Sequence, residues 1–257
     1  MPTYEPFYYG YAGVKEGWSS FPRNRVIEFI KNHSGEITSI LDIGCGTAEI
    51  LSYIPEKILY TGIERSQYAV EEAEKRWKNR LGKTNFIVND SPPYSFPETS
   101  FDCVLLLFSL EHVWDPRGVL QECRRLLKKD GFLMILAPNL EFPFAWPSAL
   151  RHMPFWYRSW FHILRIWDYT LRLFGIYSFR IVKKNFTDAT GTYEKKDDDL
   201  RVFVSSWEVI HFLGAHGYRM QEFWEERELH GIKRFIRLFP GFRWYGIPLA
   251  AVFTKES

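Results

Sequence analysis

An open, doubly wound α/β sheet is the fold this sequence predicts, and three observations predict it. Short apolar segments alternate with amphipathic ones from Ser39 to Ala137. One apolar segment, Phe101–Phe108 (FDCVLLLF), is nearly continuous, the pattern of a strand buried on both faces of a parallel sheet. The first apolar segment runs straight into Gly44-Cys45-Gly46, a tight turn between strand and following segment. Alternation of this kind places helices on both faces of the sheet.

The elements follow in order. Residues 1–21, rich in Tyr and Gly, read as an irregular arm. Pro22–Asn32 is a short amphipathic helix carried by Val26, Ile27, Phe29 and Ile30. Strands are expected at Ser39–Ile43, Ile58–Ile63, Phe86–Val88, Phe101–Phe108 and Phe132–Ala137. Between them, helices are expected at Thr47–Tyr53, at Ser66–Arg80 with Ser66 as N-cap, and at Pro116–Lys129 with proline in its first turn. Lys129-Asp130-Gly131 reads as a turn. The alternation breaks after Pro138 and resumes with a helix at Trp207–His216, ended by Gly217. Strands at Tyr218–Trp224 and Pro248–Thr254 close the pattern, making seven. The expected organisation is one core, residues 1–138 and 201–257, interrupted by an insertion at 139–200.

Bulk properties narrow the function classes. A chain of 257 residues, 46% hydrophobic and 25% charged, can bury a core. A net charge of +2 is too small to argue for nucleic acid, and none is expected as a partner. Cys45, Cys103 and Cys123 are odd in number and form no CxxC pair, which points away from a disulfide framework or structural zinc and toward a reducing cytoplasm. The first residues lack a basic start followed by an apolar run, so no signal peptide is expected. The seven histidines form no HxxxH-like cluster, so no metal is expected either.

The chemistry sits at the glycine turn. Gly44 and Gly46 let a ligand approach the backbone, Asp42 precedes them, and Glu64 closes the second strand twenty residues after Gly44. A carboxylate there can accept hydrogen bonds from both hydroxyls of a ribose. Dinucleotide-binding sheets use the same spacing, but their fingerprint wants a third glycine where this chain has Glu49. A carboxylate near that turn opposes a diphosphate and is harmless to a sulfonium bearing an amino-acid tail. The substitution favours S-adenosylmethionine over a nicotinamide cofactor.

Four segments together resemble the class I S-adenosylmethionine-dependent methyltransferases, of the small-molecule type. LDIGCGTAEI is similar to their first motif and GIERS to their second. VNDSPPYSFPETSFDCVLLLFSLEHVWDP resembles the stretch through the fourth strand, and LQECRRLLKKDGFLMILAPN the region of the fifth. The resemblance covers residues 39–139. It implies a seven-stranded, mostly parallel Rossmann-like sheet with the last strand antiparallel, and S-adenosylmethionine as cofactor. It also implies roles for matching positions. Asp42, Gly44, Cys45 and Gly46 would form the turn around the methionine part, Glu64 would bind ribose, and Arg65 would lie beside the adenine. Asp90 and Ser91 would reach the adenine edge, with turn capping as the other role open to Asp90. Phe108 and Ser109 would line the cofactor at the end of the fourth strand. His112 is a candidate general base, although Glu-His pairs occur there in relatives with different substrates.

Ser91–Tyr94 reads SPPY, similar to a tetrapeptide of amino-group DNA methyltransferases. It precedes the fourth strand instead of following it and so reads as a rigid turn. The expected acceptor is a small molecule, lipid- or glycan-linked in one version of the reading, with oxygen as the first guess for the accepting atom. A non-catalytic membrane- or partner-binding protein that keeps the fold is the alternative from another class.

The aromatic content, 18%, is concentrated in the insertion. Pro154 can open a helix running to about Phe174. Projected at 100° per residue, Arg158, His162, Arg165, Tyr169 and Arg172 share one face. Trp156, Trp160, Ile163, Trp167, Leu171 and Phe174 share the other. The first expectation is a helical cap whose Trp face covers the core or roofs the site. The second is an interfacial helix on anionic lipid, Trp in the acyl boundary and Arg toward headgroups, at the inner face of a membrane. A dimer face is the third. Lys233, Arg234 and Arg237, interleaved with Ile232, Phe235, Ile236 and Phe239, extend the membrane reading to 142–184 and 231–245.

Overall fold

The computed structural model describes residues 21–80, 82–141, 155–181, 202–225, 235, 238 and 247–256. The N-terminal arm, Arg151, Pro154, the run Glu194–Asp199 and most of the segment 231–245 lie outside the described residues.

Seven strands form one sheet: β1 Ser39–Ile43, β2 Leu59–Glu64, β3 Thr84–Val88, β4 Phe101–Leu107, β5 Leu127–Ala137, β6 Tyr218–Phe223 and β7 Leu249–Lys255. Their spatial order is β3-β2-β1-β4-β5-β7-β6. β1 to β5 pair in parallel, while β7 is antiparallel to both β5 and β6. The strand order reverses between β1 and β4, which makes the carboxyl ends of those two strands the place where an open sheet receives a ligand.

Helices cover both faces because the central strands are apolar on both. On one side α1 (Arg23–Asn32) lays Val26, Phe29 and Ile30 against Ile40, Leu105 and Leu136. On the other, α3 (Pro116–Leu126) and α5 (Ser206–Ala215) bury Val119, Leu120, Val209 and Phe212 against Leu41, Val104 and Ile135. α2 (Gln67–Trp77) connects β2 to β3 and starts where expected, with the Ser66 hydroxyl accepting from the Ala69 amide at 3.2 Å. Asp115 and Ser205 cap α3 and α5 in the same way.

Two local expectations are corrected. Thr47–Tyr53 is not an α-helix; only Glu49–Ser52 turns, as a 3-10 helix behind Ala48 at φ 55°. Lys129-Asp130-Gly131 does not separate helix from strand. β5 starts at Leu127 and runs through it, with Asp130 at φ 59° and a register shift opposite Phe101–Cys103. The turn signal is a bulge inside a strand, the other structure that a left-handed residue beside glycine can make.

At the amino edge of the sheet one carboxylate ties three strands together. Asp102 Oδ2 accepts from the amides and hydroxyls of Thr38 and Ser39 at 2.7–3.0 Å, and Oδ1 takes Lys128 Nζ at 2.7 Å. Partial burial alone would raise this carboxyl. Lys128 and the Thr38 and Ser39 donors overcome it and hold the group down at about 2. A carboxyl whose folded value is depressed stabilises above its unfolded value, near 4, and loses that stabilisation as pH falls toward 2. Asp102→Asn is therefore expected to melt below wild type at pH 7, with the gap closing as melts are repeated down to pH 2.5. A constant gap would show that geometry, not charge, is what Asp102 contributes.

α4 (Phe155–Leu173) reverses the expected orientation. The tryptophan face is outward: Trp156, Trp160 and Trp167 are 70%, 57% and 58% exposed, with Ile163, Ile166, Leu173 and Phe174 beside them. The polar face is inward, where Arg165, Asp168 and Arg172 are nearly inaccessible. The reason is that this face finds opposite charges and carbonyl acceptors inside the protein. Arg165 donates to the Leu140 carbonyl, and Arg172 Nη1 to that of Glu141 at 3.1 Å. Arg172 Nε lies 3.5 Å from Glu208 Oε1, and Arg180 Nη2 donates to Asp168 at 2.5 Å. Buried charge is tolerated when paired and hydrogen-bonded. The cover expected from the Trp face is thus overturned, and Arg165 and Arg172 are not placed to meet headgroups. No described helix is long and apolar enough to cross a membrane.

Candidate active site

The site forms where β1, β2 and β4 end. After Ile43 the chain turns through Gly44 at φ 79° and Gly46 at φ 54°, and the amides of Gly44 and Cys45 both donate to the Ile63 carbonyl of β2, at 2.7 and 3.1 Å. Gly44 is required twice over. Its φ disfavours any side chain, and a Cβ there would fall 2.5 Å from Cβ of Ser109. The turn is therefore pressed against the end of β4.

Glu64 closes this turn from the second strand. Its Oε2 accepts from the Gly46 amide and its Oε1 from the Ser66 amide, each at 3.0 Å, and the side chain is buried. Asp42 is held from below: the Tyr60 hydroxyl donates to Oδ2 at 2.7 Å, while Oδ1 is buried with no hydrogen-bond partner among the described residues. Burial pushes the Asp42 carboxyl up to about 7, against the Tyr60 hydrogen bond and reinforced by the negative charge of Glu64. Ser109 Oγ is a second buried oxygen without such a partner. Two orphaned acceptors beside a glycine turn and a paired carboxylate suit a ligand with a ribose and a cationic amino tail.

Cys45 contributes backbone. Burial raises its thiol well above the usual value, so no thiolate is available, and its sulfur packs where a Cβ on Gly62 would otherwise stand. Phe108 follows β4 in the left-handed region, φ 57°, a conformation that costs a non-glycine residue about 1 kcal/mol or more. Its amide is fixed to the Leu136 carbonyl at 2.7 Å, and its ring lies under the Arg23 guanidinium, 5.1 Å away. Asp42, Gly44, Cys45, Gly46, Glu64, Phe108 and Ser109 are thereby one cluster.

Arg65, Asp90 and Ser91 stand along the neighbouring strand ends and are exposed. The turn after β3 is held by Asn89, whose side chain accepts the Ser91 amide at 3.0 Å, while Asp90 accepts the Ser91 hydroxyl at 3.0 Å. The adjacent SPPY segment is anchored by Tyr94, which is buried in the core. His112 ends a 3-10 turn, Leu110–His112, past β4 with Nε2 4.0 Å from Glu111 Oε1. No group of three or more His, Cys, Asp or Glu side chains is placed to hold a metal among the described residues.

The part assigned to Glu49 changes. Its carboxylate pairs with Arg76 and accepts from Thr47, so its charge is compensated. What disfavours a diphosphate is the backbone: the chain leaves Gly46 into four residues of 3-10 helix, not a long helix whose amides converge on an anion. Three neighbours of the cluster were not singled out from the sequence. Tyr60 orients Asp42, and its signal is the single aromatic residue of β2. Trp114, two residues past His112, is 54% exposed. Asn139 Oδ1 joins the end of β5 to the Ser206 amide at 3.2 Å.

Comparison with known proteins agrees with this geometry. A family model described as a methyltransferase domain matches residues 41–135. The demethylmenaquinone methyltransferase of Thermotoga maritima is 37% identical over 117 residues, 44% of this chain and 48% of that one. The ubiquinone biosynthesis O-methyltransferase of Histophilus somni is 30% identical over 132 residues, 47% and 53% of the two chains. The chain thus spans about half the length of the curated relatives it matches. Over nearly its whole length it has the fold of an S-adenosylmethionine-dependent methyltransferase from Aquifex aeolicus, with TM-score 0.56, 14% identity and coverage of 98% and 99%. Residues 41–135, the segment that carries the glycine turn and Glu64, are thus a methyltransferase domain, set in a chain with the fold of the S-adenosylmethionine-dependent methyltransferases.

Proposed function

We propose that this protein transfers a methyl group from S-adenosylmethionine to a lipophilic small molecule of the quinol type. The observation that carries the reading is the closed constellation of Gly44, Gly46 and Glu64, with both Glu64 oxygens aimed by backbone amides. Glu64 receives the ribose hydroxyls. Asp42 Oδ1 and Ser109 Oγ, together with the Gly44–Gly46 backbone, hold the amino end of the methionine part. Arg65, Asp90 and Ser91 flank the adenine. When bound, the cofactor supplies a methyl group on a sulfonium, already reactive toward a nucleophile. The chain's own work is then to align the acceptor in line with that methyl and to exclude water. Phe108 and Trp114 offer an aromatic acceptor a face to lie on, and His112 takes its proton. Residues 139–200 act as a cap on this side of the core.

Two curated relatives are named for quinones of the menaquinone and ubiquinone type, which supports a lipophilic acceptor. The outward face of α4 supports it from another direction. Seven large apolar side chains, three of them Trp, stand exposed there. That composition suits a helix lying in a membrane interface, and it supports attachment of the protein to the inner face of a membrane. The expected result is label from methyl-labelled S-adenosylmethionine in the lipid fraction of an extract, and none in glycan or soluble fractions. Stoichiometric cofactor binding with no labelled product in any fraction would reduce the protein to a binding module.

A further inference from the structure

We propose that the last two residues of α2, Arg76 and Trp77, are a clamp that sets the shape of the glycine turn and so positions it for the methionine part of the cofactor, an inference that rests on the cofactor reading above. The Trp77 indole donates to the Thr47 carbonyl at 3.0 Å, and Arg76 pairs with the carboxylate of Glu49. The two side chains act as one unit. The Arg76 guanidinium lies over the Trp77 ring, 5.2 Å from its centre, and the ring packs against the core cluster that contains Ala48, Ile50 and Leu51. Neither residue touches the turn by closeness in sequence; α2 brings them back to it after the chain has passed through β2.

The turn needs a clamp because no α-helix finishes it. If one began just after Gly46, the Leu51 amide would bond back to the Thr47 carbonyl. Here that amide goes to Ala48 at 3.1 Å, within the 3-10 turn, and the Thr47 carbonyl receives a side-chain donor instead. Ala48 stands at φ 55°, a left-handed conformation that alanine keeps only where its surroundings hold it. The near side of the turn is fixed by β2, through the amides of Gly44 and Cys45 on Ile63 and that of Gly46 on Glu64. The far side, Thr47–Glu49, is fixed by α2. Glu49, which takes the place of a third glycine, thereby becomes the handle that Arg76 grips, and the Thr47 hydroxyl donates to the same carboxylate oxygen at 3.4 Å. A turn already held in its bound shape leaves less ordering to be done when the ligand arrives, and the affinity gains by that difference.

The test separates a positioning role from a merely structural one by using a ligand without the amino-acid part. Binding of S-adenosylmethionine and of methylthioadenosine is measured by calorimetry on wild type, Trp77→Phe, Arg76→Gln, Glu49→Gln and the double variant of the last two. Trp77→Phe keeps an aromatic ring and loses the donor, so S-adenosylmethionine should bind about three- to tenfold weaker. Methylthioadenosine should bind it as it binds wild type, because Glu64 and the adenosine side do not depend on the clamp. Arg76→Gln and Glu49→Gln should each weaken S-adenosylmethionine binding about two- to fivefold. The double variant should lose no more than either single one, since all three break the same pair. Equal losses on both ligands, or unchanged affinity for S-adenosylmethionine in a folded Trp77→Phe, overturn the clamp and leave the cofactor reading standing. If Trp77→Phe does not fold, the pair decides: losses that are absent, or that add in the double variant, overturn it. A wild type that binds neither ligand overturns the cofactor reading and this inference with it.

Discussion

Glu64→Ala is expected to weaken S-adenosylmethionine binding by a hundredfold or more while the protein still folds. Two hydrogen bonds from the ribose to a charged acceptor are lost, each contributing about 1.5–3 kcal/mol. A second effect adds to the first. The same carboxylate accepts the Gly46 and Ser66 amides, so its removal also loosens the turn that faces the methionine part and the start of α2. Melting should fall by a few degrees, since two amides lose a partner near the surface end of a strand and the core clusters on both sheet faces are untouched. Glu64→Gln separates the two effects. The amide keeps an oxygen for one backbone donor but cannot accept from two ribose hydroxyls, so it should hold the fold better than alanine and bind the cofactor little better. Calorimetry and melting curves on the two variants decide it. Unchanged affinity in either folded variant would mean that the ribose is held elsewhere.

The core was legible because its signals are local. Phe101–Phe108 reads as a buried strand from eight consecutive side chains, and the structure ends it one residue earlier, at Leu107, because Phe108 turns into the left-handed region. Gly44, Gly46 and Glu64 were legible as a cluster because a fixed spacing across one strand–turn–strand unit brings them together. The helix starting after Ser66 announced itself by its cap. What the sequence could not show is which surface a segment would meet. Asp130-Gly131 carries the same composition whether it ends an element or bulges within one, and only the pairing of β4 with β5 decides. Tyr60 became part of the site through register, since Asp42 and Tyr60 lie on neighbouring strands and the hydroxyl reaches the carboxylate across them. Trp77 lies outside the motif in sequence and joins it only through the packing of α2. The orientation of α4 was the largest surprise, and its cause is also non-local. Amphipathicity says that a helix has two faces; it does not say that Glu208 on α5 and Arg180 after α4 will be waiting for the charged one.

That inversion fixes the last expected result, in which the charged face of α4 matters to stability and the aromatic face does not. Glu208 is fully buried, its Oε1 accepts from the amide and hydroxyl of Ser178 at 2.9 and 2.7 Å, and Arg172 lies 3.5 Å away. Glu208→Ala strips a buried arginine of its counter-charge and two donors of their acceptor, a loss of about 3–5 kcal/mol. For a domain of this size that lowers the melting temperature by about 10 °C. Replacing Trp160 and Trp167 together with serine should shift melting by only a degree or two, because side chains more than half exposed give up little on truncation. The same double variant should lose attachment to lipid vesicles. With Arg165 and Arg172 engaged inside the protein, attachment through α4 comes from burial of tryptophan and isoleucine. It should therefore occur on neutral as well as anionic vesicles and change little with salt. Attachment confined to anionic vesicles and abolished by salt would move the contact to the basic segment 231–245. A double tryptophan variant that melts as low as Glu208→Ala would return the aromatic face to the interior and remove the membrane surface from the reading.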